Sequence, residues 1–212
     1  MIQTLFANPL SFVVYLLALI VVITIHEFSH ALAAEKLGDP TPRLQGRLNL
    51  NPLSHLDPFG TIMILLIGFG WGKPVTFDPF NLQNPRRDAA IISLAGPFSN
   101  LILALVLSLL LRLFILVKLQ FLIIIGSIIF APIIQLSVLL GIFNLIPVHP
   151  LDGFKIVGGI LPQKQADEWY SLQKYGIFVL LLIIFPFNGQ TSMMSMFLSP
   201  LLKFIMPLFL PY

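Results

Sequence analysis

Apolar residues in this chain run in long blocks rather than in alternation. No charged residue occurs from Leu10 to Ile25, and this block predicts a helix from about Pro9 to about Leu37. Asn8-Pro9 supplies a start signal and Gly38-Asp39-Pro40 a stop. Two further blocks predict helices over about Ala89–Leu111 and about Phe121–Phe143, the latter kinked at Pro132. Each is long enough to cross a bilayer. A short helical piece is expected from about Phe154 to Leu161. Two proline-interrupted helices are expected over about Leu172–Phe185 and about Met194–Leu210.

The polar stretches between these blocks differ in kind. Residues 41–50 alternate partly between polar and apolar and predict a short β-ribbon. The apolar run from Phe59 to Phe69 is too short to span as a straight helix, so a re-entrant segment is expected there. Gly68, Gly70 and Gly72 surround Trp71 and predict a flexible interfacial stretch. Residues 1–7 read as a short tail, and residues 73–88 and 162–171 as polar loops. The fold class expected is an all-α polytopic membrane protein. It has about five spanning helices, a re-entrant segment and a short β-ribbon near the cytoplasmic face.

Composition agrees with that pattern. Of 212 residues 57% are hydrophobic and 10% charged, and the mean hydropathy is +0.94, which excludes an ordinary soluble domain. There is no cysteine, so disulfides and thiolate ligands are excluded. A net charge of +3 calls for no nucleic-acid partner. The basic residues report orientation instead. Lys36, Arg43, Arg47, Lys73, Arg86, Arg87, Lys155, Lys164 and Lys174 fall on one side of the layout, and Arg112 and Lys118 on the other. This nine-to-two split sets the end of the first helix toward the cytoplasm, provided residues 59–69 do not cross. Residues 1–9 hold no Lys or Arg, so the first block reads as a retained span rather than a signal peptide.

The candidate chemistry sits at the end of that first block. His26-Glu27-Phe28-Ser29-His30 has the H-E-x-x-H pattern. On a helix the two histidines are one turn apart and about 40° around the axis, which suits two nitrogen ligands on one zinc ion. Glu27 beside them can take a proton from a water at the metal. Charged groups in an apolar span cost roughly 2.5–3.5 kcal/mol each on insertion scales, so such groups usually persist for function.

A third ligand must come from elsewhere. Glu35 points off the ligand face, and Asp39, Asp78, Asp88, Asp167 and Glu168 lie in polar stretches. Asp152 follows a break at the cytoplasmic end of the third helix, level with the histidines; its alternative role is an N-cap. His149 is its nearest rival, and His55 is either a turn residue or a ligand in a resting state.

The histidine motif is followed far downstream by Asn144-x-x-Pro147-x-x-x-Leu151-Asp152-Gly153. The pair resembles the site-2 protease family of intramembrane zinc metalloproteases, in its compact branch without a PDZ or CBS domain. Ala95-Gly96-Pro97-x-x-Asn100 between the two adds to the likeness. The resemblance covers about residues 9–160, which would be the catalytic core of a single domain over 1–212. Residues 172–210 would then be accessory helices.

The family implies one Zn²⁺ per chain, with His26, His30 and Asp152 as ligands and Glu27 as general base. It also implies Asn144 as a substrate or oxyanion contact, and leaves the role of His149 open. The expected activity is peptide-bond hydrolysis within or near transmembrane segments of other membrane proteins. The expected setting is a multi-pass protein of the cell membrane with its site toward the cytoplasm. The substrate must be extended at the site, and residues 41–50 are the expected edge for adding it. The competing function is a metal transporter or channel built on the same His/Asp cluster.

Overall fold

A computed structural model describes residues 7–67, 70–185 and 192–211, except for the side chains of Ile64, Leu65 and Ile67. Three long helices dominate: α1 Pro9–Lys36, α4 Pro85–Leu116 and α5 Gln120–Asn144. At 28, 32 and 25 residues they are long and apolar enough to cross a membrane. The Asn8 side chain caps α1 by accepting from the Ser11 N–H at 3.1 Å, with Pro9 in the first turn. Gly38, at φ +104°, turns the chain away after Leu37.

α4 begins four residues before its apolar block. Pro85 fits the first turn, and the buried Asp88 carboxylate accepts from the Asn84 N–H at 2.8 Å while facing the positive end of the helix dipole. The polar residues Arg86, Arg87 and Asp88 thus belong to the helix.

Shorter elements complete the chain: α2 Thr41–Leu44, α3 Pro58–Ile67, α6 Asp152–Ile160, α7 Gln163–Ser171, α8 Gly176–Ile184 and α9 Met193–Phe209. Two expectations are corrected. The β-ribbon over 41–50 does not form: Asp39 Oδ1 accepts from both the N–H and the hydroxyl of Thr41, which starts the helical turn α2 instead. Among the described residues the one antiparallel bridge joins Leu56 to Gly72. The polar loop over 162–171 is helix α7. Its Ala166 is buried, and its Trp169 stacks on Phe154 at 5.0 Å and donates from Nε1 to the Phe154 carbonyl at 2.8 Å.

The expected re-entrant run is helical as far as Ile67; Gly68 and Phe69 lie outside the described residues. So do residues 1–6 of the expected tail and residues 186–191 between the last two helices. α8 is only nine residues long, and α9 holds Pro200 and Pro207 within its 17 residues.

α4 is the central element and packs against α1, α5 and α6. The faces that meet mix small and polar residues with a few larger apolar ones. On α1 the stripe Ala18, Val22, His26, His30, Ala34 is buried at four-residue spacing. α4 buries Ser93, Gly96, Asn100, Ala104 and Ser108 beside the larger Ile92 and Leu111, and α5 buries Ala131 and Gly141 beside Ile134 and Val138. Large apolar residues point outward instead, including Leu10, Leu116 and Phe121, each at least 70% exposed. Small and polar residues at the contacts with large apolar ones turned outward are features of helices packed in lipid.

Candidate metal centre

α1 carries His26 and His30 on its buried stripe, and α6 brings Asp152 to them. Asp152 Oδ2 lies 3.2 Å from His26 Nε2 and 3.3 Å from His30 Nε2, and the two Nε2 atoms are 3.0 Å apart. One ligand atom from each of the three residues lies within 4.8 Å of the others. Both imidazoles are buried. The donor set is two nitrogens and one anionic oxygen at one point, which fits zinc with an open fourth position.

The outer nitrogens are held by α4. His30 Nδ1 donates to the Ile92 carbonyl at 2.7 Å, which leaves Nε2 as the ligand atom. His26 Nδ1 stands 3.1 Å from the Asn100 side-chain amide. The Asn100 nitrogen faces it, while the buried Asn100 Oδ1 has no partner among the described residues. Turning the amide over lets Oδ1 accept the Nδ1–H and bares His26 Nε2 for a metal. Gly96 makes room one turn away. A Cβ there would overlap both rings, standing 2.7 Å from His26 Cε1. The Ala95-Gly96-Pro97-x-x-Asn100 signature thus acquires a physical content that spacing alone does not supply.

Glu27 lines the same cavity, of about 770 Å³, as do Asn144, Asp152 and Lys155. Glu27 Oε2 accepts from the Val75 N–H at 3.1 Å, so the non-helical run 70–78 steadies the carboxylate. That run, and not 41–50, borders the cavity, through Trp71, Gly72, Pro74 and Val75. Asn144, the last residue of α5, turns its Nδ2 back to the Leu140 carbonyl at 3.0 Å.

The other two histidines stay away from the cluster. His55 is fully buried in the loop layer, where Nε2 donates to the Asn49 carbonyl at 2.7 Å. His149 packs edge-on against Phe154, 5.7 Å between ring centres. Lys155 is the pocket residue that sequence reasoning missed: it entered only as one of the basic residues that report orientation, yet it lies one turn along α6 from Asp152. The i, i+3 spacing from Asp152 was the available signal.

A carboxylate and two imidazoles at one point among membrane-spanning helices, with a second carboxylate beside them, define an intramembrane metallohydrolase. Comparison with known proteins agrees. The profile of peptidase family M50 matches residues 14–123. YwhC of Bacillus subtilis, named as a candidate zinc metalloprotease, is 42% identical over 181 residues, covering 84% of this chain and 82% of that protein. Rip2 of Mycolicibacterium smegmatis, named in the same way, is 30% identical over 189 residues, covering 84% and 70%. Rip2 of Mycobacterium tuberculosis is 31% identical over 186 residues, with the same coverage. No solved structure matches the chain. The chain belongs to peptidase family M50, the site-2 proteases, and is a zinc metalloprotease of membranes. These relatives do not favour the transporter reading.

Proposed function

We infer that the chain is one protease domain over residues 1–212 that cuts transmembrane segments of other membrane proteins. His26, His30 and Asp152 hold one zinc ion, and Glu27 is the general base. One observation carries the reading: three metal-ligand atoms converge within 4.8 Å at the wall of a cavity that Glu27 also lines. Zinc supplies a Lewis acid there and brings water acidity toward neutrality.

The chain's own residues do the rest. Water adds to the scissile carbonyl carbon while Glu27 accepts its proton. Glu27 then delivers that proton to the amide nitrogen as the C–N bond breaks, leaving a carboxylic acid and an amine, which ionise to carboxylate and ammonium. Asn144 reaches the developing oxyanion once its amide leaves the Leu140 carbonyl. The cavity wall is mostly aliphatic and aromatic, including Leu19, Ile23, Leu136 and Phe143, which suits an unwound apolar segment.

The wider arrangement belongs to the same reading. The chain crosses the cell membrane about five times: α1, α4 and α5 singly, with the α8 and α9 regions completing the set. The metal centre faces the cytoplasm. Leaving Lys155 out of the orientation count keeps the basic residues concentrated at that end. A reporter fused after Arg87 is expected in the cytoplasm and one between Arg112 and Lys118 on the far side. Both reporting one side would sink the layout.

The deciding experiment follows one membrane substrate by gel and zinc by elemental analysis, for wild type and Glu27→Gln together. The variant should keep its zinc and lose about 10²–10⁴-fold in rate. Chelator should silence the wild type. Undiminished cleavage by Glu27→Gln would remove Glu27 from the mechanism.

A further inference from the structure

α6 is clamped on several sides. Gly153 lies against the Leu145 and Ile146 carbonyls, Gly158 against the Tyr170 ring and Gly159 against Ala90, each too close to admit a Cβ. Trp169 donates to the Phe154 carbonyl. A short helix held this closely fixes where its side chains project. Asp152 and Lys155 stand one turn apart on it, and both line the site cavity.

Lys155 makes no ion pair among the described residues. Its Nζ sits over the Phe77 ring, 4.9 Å from the centroid, where the ring face attracts a cation without neutralising it. Burial lowers its pKa, and the Asp152 and Glu27 charges act against that, which puts the ammonium within their field. A half-buried ammonium in a largely apolar cavity, near two carboxylates but bound to neither, has an unused charge. Asn144, a polar donor that also lines this cavity, is engaged with its own helix.

We propose that Lys155 is a further catalytic residue, whose ammonium meets the scissile carbonyl oxygen as negative charge builds on it. The proposal rests on the peptidase reading above. Lys155 neither gives nor takes a proton in this role; it stabilises charge that exists only while the carbonyl carbon is tetrahedral. Such a donor is worth about 10²–10³-fold in rate. The Phe77 face keeps the charge in place between turnovers, so little reorganisation is needed when the substrate arrives.

The test compares Lys155→Met, which keeps the length and removes the charge, with Lys155→Arg. Three readouts are taken on the full-length zinc-loaded protein. They are zinc content, the kcat and KM of a transmembrane peptide substrate, and binding of a peptide phosphonamidate against the matching uncleaved amide. Lys155→Met should keep its zinc, lose about 10²-fold in kcat and leave KM within about twofold. It should weaken phosphonamidate binding about as much as kcat, and amide binding hardly at all. Lys155→Arg should recover most of the loss.

Unchanged kcat in Lys155→Met would overturn the proposal. So would a loss of zinc, which makes the residue structural. A rise in KM confined to substrates with an acidic residue beside the cleaved bond would also overturn it, since the ammonium would then be reading a side chain. Failure of the peptidase reading looks different: zinc-loaded wild type cuts no membrane substrate. The phosphonamidate arm, which needs no turnover, still decides whether Lys155 holds an anion.

Discussion

The helical wall of the site and the non-helical segments beside it carry two histidines each, and the pairs behave differently. His26 and His30 lie on α1 with their outer nitrogens against α4, at Asn100 and Ile92, so both Nε2 atoms point to Asp152. His55 uses its Nε2 to brace the loop layer at Asn49, and its Nδ1 is buried without a partner among the described residues. The His149 Nδ1 is likewise buried and unpartnered among the described residues, and its ring packs on Phe154. A held outer nitrogen matters only where the free one converges with other ligand atoms, and among the described residues that holds for His26 and His30 at Asp152. Burial alone does not distinguish the pairs, since His55 is the most buried of the four.

The largest effects should separate these pairs directly. His26→Ala or Asp152→Ala should lose zinc and all cleavage, measured by elemental analysis and gel. His149→Ala should keep its zinc. His55→Ala should keep zinc too but lose about 1–3 kcal/mol of stability, because the Asn49 carbonyl is left unpaired. Zinc retained by Asp152→Ala and lost by His149→Ala would reverse the assignment.

A smaller effect is expected from the wall behind the rings. Gly96→Ala places a methyl where the imidazoles stand, so the rings or α4 must shift. The expected loss is about 10–100-fold in zinc affinity, with about 1–3 kcal/mol of stability. Competition with a zinc-binding dye would measure it. Gly46→Ala, in the loop layer, meets no atom within 4 Å and suffers only from its positive φ of +66°. It should leave zinc affinity unchanged. Equal losses in the two variants would mean that the Gly96 effect is backbone strain.

Much of this site was legible because it is local. H-E-x-x-H fixes its own geometry once α1 is a helix, and the long apolar blocks fix α1. Elimination among the acids singles out Asp152 but leaves His149 as its rival, and the resemblance to the site-2 proteases implies Asp152. The structure brings it, and not His149, to the imidazoles. What could not be read is non-local. Nothing in the spacing says that α4 presents Ile92, Gly96 and Asn100 to the same two rings, because that depends on which helix faces meet. Lys155 counts in the sequence only as a charge that reports orientation, since a basic residue usually marks a solvated end. The partial alternation over 41–50 predicted a ribbon, but Asp39 accepts from Thr41 and the chain coils before it can extend. In α7 the packing of Trp169 on Phe154 outweighed a polar composition.

The smallest effect should come from the loop layer, through Asp39. This carboxylate is fully buried just beyond α1. It accepts from the Thr41 N–H at 3.1 Å, the Thr41 hydroxyl at 2.6 Å, the Asp78 N–H at 2.8 Å and Asn81 Nδ2 at 2.8 Å. Burial by itself would raise its pKa; these bonds overcome that and lower it from the ordinary 3.8. A lowered folded-state pKa means that the unfolded chain binds its proton first as the pH falls. The stability Asp39 contributes is therefore fully present above about pH 4 and is lost as the pH drops through the lower folded value. Protection from hydrogen exchange over residues 39–46 and 73–81 should hold at pH 5 and fall below pH 4, before α1 and α4 open. Asp39→Asn swaps one acceptor oxygen for a donor. It should cost about 1–3 kcal/mol and remove the acid dependence of that layer. The run 70–78 bonds to Glu27 through Val75, so this variant should also lower cleavage severalfold while keeping its zinc. Exchange that quickens equally in Asp39→Asn and wild type below pH 4 would assign the acid sensitivity to another carboxylate.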